Sequence, residues 1–98
     1  MTVVSDSGVS LAIVGATGQV GAVMRALLQE RDLPVREIRY FSSARSAGKT
    51  LAFRGHDVVV EDVATADPAG VEVAVFSAGA TASREYAPVF AAAGAVIV

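Results

Sequence analysis

The sequence predicts an α/β fold in which helices cover both faces of a doubly wound, mostly parallel sheet. Short, nearly continuous apolar runs, of which "VSLAIVG" and "VEVAVFSAG" are the clearest, alternate with segments of helical periodicity. Such apolar runs are typical of strands that are buried on both faces. A turn between two further β-rich runs adds a small hairpin to the predicted sheet.

The first strand is predicted over residues 9–15, and a helix begins at Val20. The apolar side chains of this helix recur at helical spacing and predict its buried face: Val20, Val23, Met24, Leu27 and Leu28. We expect Asp32 and Pro34 to end the helix. The β-branched and aromatic residues of 37–43 predict the second strand.

Further along the chain, strands Thr50–Phe53 and Val58–Glu61 are predicted to pair through a turn at residues 54–57. A strand within 71–79 should lie beside the first strand of the sheet. A second helix follows, and Pro88 inside it predicts a kink or a restart.

That second helix should bury one face, formed by Tyr86, Val89, Phe90 and Ala93. Gly94 is suited to end the helix, and "AVIV" predicts a last strand. Because this strand has no polar closure, we expect the sheet to be incomplete at its C-terminal end. Residues 1–10 are predicted to be a polar extension, and residues 11–98 part of a nucleotide-binding domain.

Composition and charge exclude several classes of function. The 98 residues carry a net charge of −2 without a basic run, which argues against a nucleic-acid partner. The chain has no cysteine, and therefore no disulfide, cysteine-type zinc site or thiol nucleophile. Neither a signal peptide nor an apolar run near the ~20 residues of a membrane span is present, so we expect a cytoplasmic protein without membrane contact.

The apolar content is high for a domain of this size. The hydrophobic fraction is 53%, the mean hydropathy is +0.53, and only 18% of the residues are charged. A small domain normally covers itself with polar surface. We therefore expect some apolar surface to pack against protein outside this chain.

The stretch "IVGATGQVG" places three glycines between the first strand and the first helix. Gly15 would allow a tight turn, Gly18 would let the main chain approach a pyrophosphate, and Gly21 would let the helix pack closely on the sheet. This context predicts a Rossmann-like dinucleotide site; the alternative is a packing turn without a ligand. The spacing G-x-x-G-x-x-G also occurs among binders of the phosphorylated cofactor.

The end of the second strand favours NADP as that cofactor. An NAD-specific domain usually has an acidic residue there, whereas this chain has Ser42 and Ser43. Arg45 and Ser46 follow and could bind a 2′-phosphate by charge-assisted hydrogen bonds. The alternative is that Arg45 is a solvated loop arginine.

The remaining polar candidates are less specific. Residues Ser77, Ala78 and Gly79 could border an adenosine or form only a strand-to-helix turn, and the sequence leaves both open. His56, the only histidine, is expected at the surface of the hairpin. The last group consists of carboxylates that have no ordered spacing and are expected to be solvated rather than to bind a metal: Glu61, Asp62 and Asp67.

From about Leu11 to Val98 the chain resembles the aspartate-β-semialdehyde dehydrogenase family. The resemblance rests on four linked motifs, "VGATGQVG", "RYFSSARSAGK", "VEVAVFSAG" and "YAPVFAAAGAVIV". It implies an oxidoreductase that uses NADPH to reduce L-aspartyl-4-phosphate to L-aspartate-4-semialdehyde with release of phosphate. That reaction leads to lysine, methionine and threonine, and the complete enzyme is expected to be a homodimer.

The resemblance also implies roles for particular residues. Matched motif to motif, the pyrophosphate-binding turn contains Thr17, Gly18, Gln19 and Val20. Arg45 and Ser46 match the 2′-phosphate site, and residues 77–79 lie near the adenosine. For Gly15, the predicted role in the cofactor-binding turn comes from the chemistry of the residue and not from the resemblance.

No catalytic residue of the family can be assigned in this chain. The family's cysteine nucleophile has no counterpart here, and His56 lies in the wrong segment for its histidine. The catalytic and dimer-forming domain is also absent, so we expect the 98-residue chain alone to be inactive. Three alternatives remain: a free-standing, non-catalytic nucleotide-binding module, an N-acetylglutamyl-phosphate reductase, or an atypical short-chain reductase. The "SSARSAGK" loop argues against both reductases.

Overall fold

The computed structural model describes residues 2–31, 33–77 and 80–98. Seven strands and two helices lie in these ranges: β1 Thr2–Val3, β2 Val9–Val14, α1 Gln19–Glu30, β3 Val35–Ser42, β4 Thr50–Phe53, β5 His56–Asp62, β6 Val73–Phe76, α2 Ala80–Ala92 and β7 Val96–Ile97. The predicted α/β class is confirmed. Asp32, which was predicted to help end α1, lies outside the described residues, as do Ala78 and Gly79.

The strands form one mixed sheet in the order β4-β5-β3-β2-β6-β7, and β1 pairs with β3. Strand β2 is central and parallel to both of its neighbours, β3 and β6. The prediction that β6 lies beside β2, the strand that precedes the glycine turn, is thereby confirmed. From β2 the chain moves first to β3 on one side and later to β6 on the other, so a crevice opens at the carboxyl end of β2.

Each face of the sheet packs on one helix. Along β2, Leu11 and Ile13 belong to a buried cluster against which Met24 and Leu28 of α1 pack. The alternate β2 residues belong to the opposite cluster, which contains Phe90 of α2. Because successive strand side chains point to opposite faces, the apolar run of β2 fills both cores, as a doubly wound sheet requires.

The predicted buried face of α1 is partly wrong. Val20, Val23 and Leu27 are exposed, at 59%, 58% and 42% of their surfaces, whereas Gly21 is buried and Met24 and Leu28 are half-buried. The helix is rotated about its axis so that the face containing Gly21, Met24 and Leu28 packs on the sheet. Two polar side chains that sequence periodicity would place in solvent make tertiary contacts on this side, at Arg25 and Gln29.

The hairpin turn is shorter than the predicted residues 54–57. Only Arg54 and Gly55 lie between β4 and β5, and both have positive φ, +50° and +83°. Two-residue turns with positive φ match the twist of paired strands. The unfavourable conformation of Arg54 is offset because its guanidinium donates to the carbonyls of Leu28 and Arg31 at 3.0 and 2.8 Å, at the C-terminal end of α1.

The second helix continues through Pro88, so that of the two predicted effects of this proline the restart is excluded and the kink remains a prediction. Gly94, with φ +101°, follows the helix as predicted. At the other end of the chain, residues 2–3 pair with β3 and residues 9–10 belong to β2, within the segment predicted as a polar extension. In the described part of the chain, neither helix has the length and apolarity needed to cross a membrane.

Tyr40 has no exposed surface, and its hydroxyl donates to the carbonyl of Ala52 at 3.1 Å. Burial raises the pKa of Tyr40 to about 12, against the opposing effect of Arg25. The unfolded chain therefore releases this proton at lower pH than the folded chain. Stability should be unaffected by this group below pH ~10 and should fall as the pH rises from there towards 12.

We predict that Tyr40→Phe removes this alkaline loss. Between pH 8 and pH 11 the unmodified chain should lose about 1 kcal/mol more unfolding free energy than the variant, by proton linkage. Urea denaturation at both pH values measures the difference. Equal losses in the two proteins would contradict the raised pKa.

Candidate dinucleotide-binding site

The turn between β2 and α1 lies at the carboxyl edge of the sheet and is held by main-chain hydrogen bonds. Gly15 has φ +87°, a conformation that side chains rarely adopt. The amides of Gly15 and Ala16 donate to the carbonyl of Phe41 at 2.8 and 3.1 Å, and the amide of Gly18 donates to that of Gly15 at 3.2 Å. The turn is therefore fixed to the end of β3 as well as to β2.

The glycines of this turn differ in what the fold requires. A Cβ at Gly21 would overlap the carbonyl oxygen of Gly15 and would lie 2.8 Å from the main chain of Ala16. Gly18 is exposed, has an ordinary φ of −77°, and has room for a Cβ, whose nearest neighbour would be 3.6 Å away. The positive φ thus explains glycine at 15 and packing explains it at 21, whereas no contact within the described chain requires it at 18.

The amino end of α1 is open to a negatively charged group. Gly18 is the N-cap, no side chain caps the helix, and the first turn contains no acidic residue. Gln19 and Val20 are exposed beside it. Free amides and the helix dipole make such an end favourable for a phosphate.

Three hydroxyl groups meet where the glycine turn touches the end of β3. Thr17 Oγ1 lies 2.7 Å from Ser42 Oγ and donates to Ser46 Oγ at 3.3 Å. Arg45 is exposed in the same loop, whose start is closed by a hydrogen bond from the Ser46 amide to the Ser43 carbonyl at 2.9 Å. The structure thus brings Thr17, Ser42 and Ser46 into contact, and Arg45 lies beside Ser46 in the loop.

A cavity of about 360 Å³ adjoins the turn, between the ends of β3 and β5 and the second helix. Its walls are mainly apolar and consist of Val14, Gly15, Ser42, Ser43, Ala44, Asp62, Val63, Ala64 and Tyr86. Sequence reasoning did not find the part from Asp62 to Ala64 or Tyr86. The register that pairs Ser42 with Asp62 explains the position of residues 62–64, because parallel strands end at the same edge of the sheet.

Ser77 lies on the other side of β2 from this cavity. Its hydroxyl donates to the carbonyls of Val14 and Gly15, at 2.9 and 3.2 Å, and thus joins the end of β6 to the glycine turn. Ala78 and Gly79, predicted with it near an adenosine, lie outside the described residues.

The other polar candidates have local roles. His56 is exposed at the start of β5, as predicted. Glu61 accepts two hydrogen bonds from Arg39, at 2.9 and 2.7 Å, and this ion pair ties β5 to β3. Asp62 and Asp67 each accept a hydrogen bond from an amide two residues further on, and so close turns.

A strand, a glycine turn and a helix at the switch point of a parallel sheet define a dinucleotide-binding α/β domain of the Rossmann type. The family model described as "Semialdehyde dehydrogenase, NAD binding domain" matches residues 10–98. The chain belongs to this family of semialdehyde dehydrogenase NAD-binding domains.

Several curated relatives of this chain are aspartate-semialdehyde dehydrogenases. That of Corynebacterium glutamicum is 54% identical over 92 residues, which cover 91% of this chain and 27% of the relative. The crystal structure of the Vibrio cholerae aspartate semialdehyde dehydrogenase II, complexed with ASA, superposes with a TM-score of 0.89 at 45% identity. The superposed region is 93% of this chain and 30% of that structure.

A more distant structure, the Candida albicans enzyme with NADP, has a TM-score of 0.72 at 24% identity and covers 93% of this chain and 29% of its own. At that identity the likeness shows a shared fold. The chain spans about a quarter of the length of the curated relatives it matches, 27% for that of Corynebacterium glutamicum.

The turn geometry predicts that a side chain added at Gly21 destabilises the fold, whereas one added at Gly18 has little effect. Gly21→Ala should lower the unfolding free energy by about 1–3 kcal/mol, because the new methyl group overlaps main-chain atoms that cannot move independently. Gly18→Ser adds a Cβ in open space and a favoured N-cap, so it should change stability by no more than about 0.5 kcal/mol. Urea denaturation of both variants measures the contrast. A stable Gly21→Ala protein would show that α1 does not need its close approach to the turn.

Proposed function

We propose that this chain is the NADP-binding part of an aspartate-semialdehyde dehydrogenase. The observation that carries the proposal is the composition of the end of β3, where hydroxyl groups and Arg45 stand in place of a carboxylate beside the glycine turn. An acidic residue there would accept from a ribose 2′-hydroxyl and repel a 2′-phosphate, whereas an arginine attracts it.

The proposed binding mode divides the cofactor among three places. The pyrophosphate would lie on the turn and helix end formed by Gly15, Thr17, Gly18, Gln19 and Val20. The 2′-phosphate would lie against Arg45 and Ser46. The adenine would occupy the cavity beside β5, and the ribose of the adenosine would lie across the strand ends towards Ser77, which Ala78 and Gly79 follow in the chain. The mainly apolar walls of the cavity support a flat, weakly polar ring in that position.

The activity of the complete protein is proposed by similarity to its relatives. It would be the NADPH-dependent reduction of L-aspartyl-4-phosphate to L-aspartate-4-semialdehyde with release of phosphate, in a homodimer in the cytoplasm. NADPH supplies the hydride in such a reaction. This chain would bind and orient the cofactor, and residues outside it would supply the cysteine thiol, since the chain contains no cysteine.

Cofactor selectivity tests the proposed site. Arg45→Ala should weaken NADPH binding by about 1.5 kcal/mol, roughly tenfold, at the lower end for a hydrogen bond to a charged group because Arg45 is exposed. NADH binding should hardly change, because NADH has no 2′-phosphate. Fluorescence titration of the folded chain with each cofactor, after circular dichroism confirms folding, measures both values.

Gly18→Val is the matched control for that experiment. Its side chain would block the approach to the pyrophosphate, which both cofactors share, so it should abolish the binding of NADPH and NADH alike. If Arg45→Ala weakened both cofactors equally, the 2′-phosphate role would be wrong. If Gly18→Val left binding undiminished, the turn would be a packing feature only.

The purified 98-residue chain should not oxidise aspartate semialdehyde. In the presence of NADP and phosphate we expect no NADP reduction above the protein-free background, because no side chain of the chain can form a thioester. The complete Corynebacterium glutamicum relative serves as the positive control. Turnover by the purified chain would contradict the proposal that this chain only binds the cofactor and that residues outside it supply the nucleophile.

A further inference from the structure

We propose that the Ser42 hydroxyl sets the preference for a 2′-phosphorylated cofactor through Thr17 and Ser46, rather than by a hydrogen bond of its own to the 2′-phosphate. This inference rests on the proposed function, and it assigns to Ser42 the role of a positioning residue. The residue is the last of β3 and half-buried, and its hydroxyl is one end of the hydrogen-bonded row that continues through Thr17 to Ser46.

The number of protons in this row determines its direction. A hydroxyl group has one proton to donate and two lone pairs to accept. Either hydroxyl could donate in the 2.7 Å contact between Thr17 and Ser42, and we take Ser42 as the donor there, so that the Thr17 proton is donated to Ser46 Oγ at 3.3 Å. Ser46 then accepts from Thr17 and keeps its own proton for a further acceptor. The row is thus polarised from Ser42 towards Ser46.

The main chain holds the first two members of the row in place. The carbonyl of Ser42 accepts from the amide of Val63 at 2.9 Å, which fixes Ser42 to the chain that follows β5. Thr17 follows Ala16, whose amide is bound to the end of β3 at 3.1 Å. Ser46 lies in a loop, so its side chain depends on Thr17 for its orientation. Ser42 and Thr17 therefore form a fixed base on which the Ser46 hydroxyl is aligned.

The charge of the acceptor determines which cofactor benefits. Hydrogen bonds in a row polarise one another, and a negatively charged acceptor at the end strengthens each of them. A 2′-phosphate supplies that charge, whereas the 2′-hydroxyl of NADH does not. Removing the first donor should therefore weaken NADPH binding more than NADH binding.

Ser42→Ala tests this directly. In the 98-residue chain we expect the dissociation constant for NADPH to rise about three- to tenfold, the effect of one lost hydrogen bond, and that for NADH to change less than about twofold. Ser42→Thr keeps the hydroxyl and should restore the NADPH to NADH ratio. Thr65→Ala, which removes an exposed hydroxyl outside the row, is the matched control.

A double-mutant cycle separates alignment from a general structural effect. In a Thr17→Val chain, which keeps the shape of Thr17 but breaks the row, Ser42→Ala should no longer change the cofactor ratio. The proposed role of Ser42 would be wrong if Ser42→Ala left the NADPH to NADH ratio unchanged in the unmodified chain, or changed it by the same factor in the Thr17→Val chain. In either case, NADPH binding by the unmodified chain would still support the proposed function. A folded, unmodified chain that bound neither cofactor would overturn both.

Discussion

The close approach of α1 to the end of β2 is the constraint on which the rest of the site depends. The helix can come this near because residue 21 has no side chain, and any Cβ there would overlap the carbonyl of Gly15. The approach places the open amino end of the helix directly over the turn. The turn is bound to β3 as well as to β2, because the amides of Gly15 and Ala16 both donate to the carbonyl of Phe41.

Two arginines secure the helix in that position through carbonyl groups rather than carboxylates. Arg25 donates to the carbonyl of Ala16 at 2.9 Å and lies over the ring of Tyr40, which joins the helix to the turn and to the sheet. Arg54 binds the opposite end of the helix from the hairpin. These contacts turn the helix away from its most apolar line, and Val20, Val23 and Leu27 are exposed as a result. Their exposure supports the expectation of apolar surface that packs on protein outside this chain.

The candidate cofactor site has two parts: neutral hydroxyl groups held near the strand ends, and the charged guanidinium of Arg45 in the loop. Neutral hydroxyl groups sit where β2 and β3 end, and their positions follow from main-chain hydrogen bonds of the sheet. The guanidinium of Arg45 lies in the exposed loop, where water screens its charge. A row of aligned neutral dipoles loses less strength to salt than an exposed charge does. Selectivity for a phosphorylated cofactor would then depend on both parts.

The sequence by itself determined the order of strands and helices from β2 onward, the hairpin, the position of β6 beside β2, and the glycine turn, because these follow from hydrophobic periodicity, from the rules of parallel sheets and from the backbone freedom of glycine. The family followed from linked motifs. Only the tertiary structure decided which face of α1 is buried, since that depends on the contact at Gly21 and on Arg54, which is distant along the chain. It also decided that Asp62 and Tyr86 border the cavity and that Ser42 contacts Thr17. These contacts join residues far apart in sequence, and sequence periodicity carries no information about which strand ends meet at one edge of the sheet.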